Sequence, residues 1–184
     1  MKNKRFLVII LAGFFMSLTF KADKLFMAKG TVSFTSDAPL EVIKASSDKL
    51  VGALDTKKKE FYFRVNMSTF YGFNSALQRE HFNENYMESH KYPKTTFKGK
   101  IIEDIDFTKA GTYNIRAKGK LNIHGIENNR IIKCKLTVKN NQIKINSNFS
   151  VFLNEHNIKI PNIVNQKIAE EITVKIEASL KPKK

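Results

Sequence analysis

Apolar and polar residues alternate one for one along most of this chain. The clearest stretch is 113–125, YNIRAKGKLNIHG, in which Tyr113, Ile115, Ala117, Gly119, Leu121 and Ile123 share one side of an extended backbone. Asn114, Arg116, Lys118, Lys120, Asn122 and His124 share the other, so the pattern predicts a strand with one dry and one wet face. The same period of two runs through 29–36, 60–67, 95–102, 132–138, 143–153 and 172–180. Residues 40–54 alternate less regularly and suggest two shorter strands with a turn at Ser46-Ser47-Asp48. Further turn signals fall at 36–39, 55–59, 109–111 and Asn140-Asn141. Roughly eight short strands without helical repeats predict an antiparallel barrel or sandwich, and closure would remove the exposed edges.

The alternation stops in 74–89, NSALQREHFNENYMES. Asn74 or Ser75 can cap a short helix, Phe73, Leu77 and His81 recur at helical spacing, and Pro93 ends the segment. One helical stretch among strands is either a lid over a barrel end or a plug beneath it.

The dry faces share a second feature. Gly99, Ala117, Gly119, Ser147 and Ala178 are small and stand at mid-strand on four different strands, where a packed core would use Leu or Ile. Set at one level, they would surround a channel wide enough for an acyl or prenyl chain. Phe34, Phe63, Val65, Phe97, Ile101, Ile115, Leu121, Phe149 and Val174 are the expected wall, with Gly99, Ala117 and Gly119 as its hollow waist. Leu77, His81, Phe82, Tyr86 and Met87 are the bulky groups of the helical stretch; Leu77, His81, Phe82 and Tyr86 are expected at the ligand, with His81 and Tyr86 at the mouth beside its head group. A solid core without ligand is the competing expectation.

Residues 1–5 carry Lys2, Lys4 and Arg5, residues 6–20 are almost wholly apolar, and Ala22 follows. This is the pattern of a secretory signal peptide over 1–22, leaving one domain over 23–184. The 184-residue chain has a net charge of +15. Lys2, Lys4, Arg5 and Lys21 belong to the first 22 residues, and the remaining cations sit mostly on the wet faces of strands. That spread suits a solvated exterior with transient contact to an anionic membrane surface. It does not suit nucleic acid, whose binders interleave basic groups with stacking aromatics. An outer-membrane barrel would turn the apolar faces to lipid and crowd the lysines into the lumen, at a large desolvation cost.

Catalytic signals are weak. His81, His90, His124 and His156 show no metal-ligand spacing, and Cys134, the single cysteine, falls on an apolar strand face. His124, on the wet face, is expected to be solvated. Glu80-His81 with Glu84 is the one general-base pairing on offer. No enzymatic activity, metal or cofactor is expected.

Two segments resemble the YceI-like family. In 77–99, LQREHFNENYMESHKYPKTTFKG, His81, the Lys91-Tyr92-Pro93 triplet and the Thr96-Phe97 pair match the family's pattern. In 119–125, GKLNIHG is similar to its G-x-L-x-I-x-G strand. The resemblance implies an all-β, eight-stranded antiparallel, lipocalin-like barrel with a short helical segment near one end, located in the periplasm. It implies a polyisoprenoid ligand, a polyprenyl or quinone tail, and no settled enzymatic activity. A protein that docks through its basic exterior without ligand, and one that forms a homodimer, are the further expectations.

Overall fold

A computed structural model describes residues 25–183; the expected signal peptide over 1–22 lies outside the described residues. Eight strands form one closed antiparallel barrel in which each pairs with its neighbour in sequence and the last returns to the first. They are β1 (Leu25–Asp37), β2 (Val42–Asp55), β3 (Glu60–Asn66), β4 (Lys94–Ile101), β5 (Gly111–Ile123), β6 (Ile126–Lys139), β7 (Gln142–Phe152) and β8 (Glu171–Pro182). A short helix, α1 (Ala76–His81), lies between β3 and β4.

Alternation decides the two surfaces. Along β5, Ile115, Ala117 and Leu121 are buried, whereas Asn114, Arg116, Lys118 and Lys120 are exposed. The strand lysines face out and the aliphatic side chains in, the reverse of a lipid-facing barrel.

Turn chemistry sets the register. Asp55 accepts hydrogen bonds from the Lys57 and Lys58 amides, both at 2.9 Å, and closes the turn from β2 to β3. His124-Gly125 and Asn140-Asn141 form two-residue hairpin turns in which every φ is positive, between 50° and 75°. Both positions of such a turn need left-handed backbone, which Gly and Asn reach at least cost.

The region of uncertain pattern, 40–54, corrects one expectation. It is a single strand, β2, and Ser46-Ser47-Asp48 is no turn. Gly30 pairs with Leu50 and Val32 with Ser47, so Thr31 alone stands opposite Asp48 and Lys49 in a β-bulge. Ser47 is fully buried, shares a 2.6 Å hydrogen bond with Thr69 Oγ1 and accepts from the Lys49 amide. Bulges and turns draw on the same short polar side chains, which is why the sequence reads alike for either.

One barrel end is packed solid. Leu54, Leu136, Ile143 and Leu180 are at most 1% exposed and form its floor with Phe26 and Val138. The other end is covered by two segments. The first is α1, whose amino end is capped by Ser75 Oγ accepting from the Gln78 amide at 3.1 Å. It continues into a wider helical turn in which the Met87 amide reaches the Phe82 carbonyl at 2.9 Å. The second is the connection between β7 and β8, tied down by Ala169 N donating to the buried Ser36 Oγ and Leu40 N to the Gln166 carbonyl, both at 2.9 Å.

The wall has a seam between β6 and β7. β6 and β7 pair only where Cys134–Lys139 meets Gln142–Ser147. Towards the covered end Arg130 bridges the strands instead, donating to the Ser150 carbonyl at 2.6 Å and to Glu155 Oε2 at 2.8 Å.

Candidate functional site

Two apolar cavities occupy the barrel above its floor. The upper one, of about 290 Å³, lies beneath the covering segments and reaches down to Val32, Val65 and Thr95. The lower, of about 120 Å³, begins at those same three residues and continues past Phe97, Leu121 and Phe149 to Ile101 and Ala117. An apolar void on this scale, on the order of 150 Å³, stays dry and admits small hydrocarbons.

The expected wall divides between them. Phe34, Val174, His81, Phe82 and Tyr86 line the upper cavity. Phe63, Phe97, Ile101, Ile115, Ala117, Leu121 and Phe149 line the lower one, and Val65 lines both. Three expected residues are placed elsewhere. Leu77 is 57% exposed on the outer side of α1. Gly99 and Gly119 line neither cavity: they pair directly, and a Cβ on Gly119 would stand 2.2 Å from the Lys98 carbonyl oxygen, one on Gly99 2.1 Å from that of Lys118. Their lack of bulk lets β4 and β5 press together rather than hollowing the waist. Of the small residues, Ala117 and Ser147 do border the lower cavity.

The sequence reading missed several lining residues. Phe70 lies in the irregular stretch after β3, where no periodicity marks a face, and the helical spacing of Phe73 with Leu77 and His81 does not assign it to the bore. With Phe34 and Phe82 they make an aromatic cluster at the mouth, in which Phe82 stacks on Phe34 at 5.5 Å and meets Phe73 at 5.1 Å. This cluster holds the helical segment against the rim. Ile158, Val164 and Ile168 close the mouth from the other side. Val151 and Ile172 also line the upper cavity; both sit on inward strand positions that the alternation marks.

Apart from Thr95 at its lower end, the polar groups available to a ligand's end group reach the upper cavity near its mouth. Glu41 accepts from Gln78 Nε2 at 2.5 Å and from Asn74 Nδ2 at 3.2 Å, and it lines the cavity with Gln78, His81, Tyr86 and Lys167. Partial burial pushes the Tyr86 phenol up, so it is a neutral hydrogen-bond donor at physiological pH. Lower down, Cys134 borders the lower cavity with its thiol pushed up by burial. Among the described residues no three His, Cys, Asp or Glu side chains group to hold a metal. Glu80, His81 and Glu84 are exposed and share no hydrogen bond in the structure.

His124 is not solvated, contrary to its place on a wet face. It sits on the hairpin turn, 8% exposed, with Nδ1 at 3.0 Å from the His156 carbonyl and Nε2 at 2.5 Å from Glu88 Oε2. Tyr92 packs edge-on against it at 4.6 Å, and the same ring occupies the space a Cβ on Gly125 would need. Gly125 is thus required twice, by its φ of 75° and by Tyr92. The Lys91-Tyr92-Pro93 triplet and the carboxyl end of β5, which are 30 residues apart, meet here and fasten the helical segment to the rim. His156 is fully buried, and neither ring nitrogen has a hydrogen-bond partner. Burial pushes its pKa down, against a smaller opposing pull from the backbone at Ile123 and Ile126.

A closed eight-stranded barrel with a solid floor, an apolar bore and a covered mouth is a lipocalin-like barrel. The model of the YceI-like domain matches residues 16–180, and the chain belongs to that family. No curated protein matches it by sequence. Among solved structures it is similar to a polyisoprenoid binding domain from Saccharophagus degradans implicated in plant cell wall breakdown, with a TM-score of 0.72 and 10% identity over 88% of this chain and 99% of that one. It is also similar to BcnA of Burkholderia cenocepacia, with a TM-score of 0.67 and 14% identity over 83% of this chain and 95% of that one. The YCEI protein of Campylobacter jejuni follows, with a TM-score of 0.57 and 16% identity over 74% and 81%. At these identities the likeness is one of fold.

Proposed function

We propose that this chain holds an isoprenoid lipid, a polyprenyl or quinone tail, inside its barrel and so sequesters or carries it. One observation carries the reading: two apolar cavities of about 290 and 120 Å³ share Val32, Val65 and Thr95 and so follow one another down a single bore. Together they fall within the range of small-molecule pockets, about 300–1,000 Å³. An elongated hydrocarbon suits such a bore better than a compact one, and each buried methylene contributes about 0.8 kcal/mol. The similarity to a domain described as polyisoprenoid binding supports the choice of chain. The end group lies at the mouth, where Glu41, Gln78, His81, Tyr86 and Lys167 offer both donors and acceptors to a hydroxyl or quinone oxygen. The protein binds its ligand and performs no chemistry on it. The basic and then apolar start of the chain supports export to the periplasm.

Photocrosslinking tests this reading. A prenyl alcohol carrying a benzophenone, added to delipidated protein, is expected to label Phe34, Phe82 or Val174 in the upper cavity and Phe97 or Leu121 in the lower. Excess unlabelled prenyl alcohol should suppress that labelling. Labelling confined to the barrel exterior, or insensitive to the competitor, overturns the proposal.

A further inference from the structure

The exterior of the barrel is chemically divided. Along β8, β1 and β2 the outward positions mix hydroxyls, among them Thr173, Thr31, Ser33, Thr35 and Ser46, with Lys29, Lys44, Lys175 and Lys181, none of which the register sets opposite another cation. Along β4, β5 and β6 they are cationic, and the register sets like charges face to face. Lys98 pairs with Lys120, Lys100 with Lys118 and Arg116 with Lys133. Like charges directly opposite one another destabilise a sheet, so nothing in folding favours this arrangement.

Carboxylates offset part of it. Glu127 bridges Lys98 at 3.2 Å and Lys120 at 2.7 Å, Glu60 meets Lys100 at 3.1 Å, and Glu103 meets Arg116 at 2.7 Å. These pairs hold Glu103 and Glu127 below the usual carboxylate range, through Arg116 for the first and through Lys120 and Lys98 for the second. Lys118 and Lys133 have no ion-pair partner among the described residues, and the wall keeps a net positive charge.

An apolar group stands inside this field. Ile131 pairs with Lys118, precedes Lys133 by two residues, and is 56% exposed on the wet face of β6. Ile102, 39% exposed, follows β4 directly, its amide bonded to the Arg116 carbonyl. Strand alternation would place a polar residue at position 131, and the floor and bore of the barrel gain nothing from the exposed isoleucine.

Cations surrounding exposed aliphatic side chains match the boundary of an anionic bilayer, where phosphates meet the ammonium groups and an isoleucine dips below them. We infer that the β4–β6 wall docks this protein on an anionic membrane surface, with Lys100, Lys118 and Lys133 drawing it in and Ile131 entering the headgroup layer. A soluble polyanion would use the lysines and have no use for Ile131. The inference rests on residues outside the bore, so its failure leaves the reading of the cavities standing.

Cosedimentation with vesicles tests it. Full-length mature protein is expected to bind vesicles of phosphatidylcholine containing one-third phosphatidylglycerol and not vesicles of phosphatidylcholine alone. Binding should weaken at least tenfold as salt rises and the Debye length contracts from about 10 to about 3 Å. Each lysine near such a surface multiplies partitioning about fivefold, so the triple variant K100Q/K118Q/K133Q should bind about 100-fold more weakly. Ile131→Ser should bind severalfold more weakly, and Thr35→Ala on the hydroxyl wall should bind as the parent does. Circular dichroism and co-purifying lipid, equal across the set, establish that the variants are folded with the bore intact. Three results overturn the inference: equal binding to neutral and anionic vesicles, unchanged binding by the triple variant, or full binding by Ile131→Ser. The last would mark a soluble polyanion as the partner instead.

Discussion

Ala117→Leu separates an open bore from a solid core by the sign of two effects. Ala117 faces inward from β5, pairs with Ile101 and Ile132 on either side, and borders the 120 Å³ lower cavity. The substitution adds three carbon atoms to that space. Each methylene of a ligand displaced to water costs about 0.8 kcal/mol, so a tail that occupies the lower cavity should lose about 2.4 kcal/mol, or about 50-fold in affinity. The ligand-free protein should behave oppositely. Filling a void with apolar atoms restores contacts, and the unfolding temperature should hold steady or rise. Were the lower cavity closed, the same three atoms would overpack the core at about 1–3 kcal/mol. At this chain length each kcal/mol lowers the unfolding temperature by about 2–4 °C. Titration of delipidated protein with a fluorescent prenyl probe measures the first effect, and calorimetry of the same samples the second. A lowered unfolding temperature with undiminished affinity would refute the reasoning, because it would mean a filled interior and a ligand held elsewhere.

Other substitutions probe the frame around the bore. Gly119→Ala sets a Cβ against the Lys98 carbonyl oxygen, 2.2 Å away, and should cost more than the 1–3 kcal/mol typical of overpacking, read by chemical denaturation. His156 is buried neutral with its pKa lowered from 6.5, so the unfolded chain takes up a proton first as pH falls. Its contribution is therefore complete above about pH 6.5 and declines below it by up to about 1.4 kcal/mol per pH unit, until the folded-state value is reached. The stability of the parent minus that of His156→Leu, followed from pH 7 to pH 5 by denaturant titration, should fall accordingly; a difference independent of pH contradicts the burial argument. Arg130→Ala removes the bridge across the β6–β7 seam and, at about 1.5–3 kcal/mol for charged hydrogen bonds, should speed amide exchange on both flanking strands while leaving β1–β2 protected.

Much of this fold was legible because a barrel writes its inside and outside into alternate residues. The period of two along 113–125 assigns Ile115, Ala117 and Leu121 to the interior before any neighbour is known, and the same holds for Phe63, Phe97 and Phe149. What alternation cannot convey is which inward residue borders a void. Gly119 and Ala117 read alike as small inward groups, yet one permits a close approach of two backbones and the other borders the lower cavity. That distinction depends on the register between β4 and β5, which a single strand does not encode. Ser46-Ser47-Asp48 misled for a related reason, since an extra residue in a strand and a chain reversal ask for the same side chains. The mouth was the least legible part. Phe70 and Ile158 belong to segments without a period, the helical spacing of Phe73 did not tell which way it faces, and His124 looked solvated because alternation was carried one residue past the end of β5 into a turn. There the backbone reverses, and the side chain meets Glu88 and Tyr92 rather than water.

The measurement closest to the central claim is the lipid content of the protein itself. Mature chain purified from its native compartment, extracted with organic solvent and analysed by mass spectrometry, should yield an isoprenoid approaching one molecule per chain, with a large loss in Ala117→Leu. Extracts with no prenyl lipid above those of an unrelated protein prepared alongside, or equal yields from parent and variant, would contradict it.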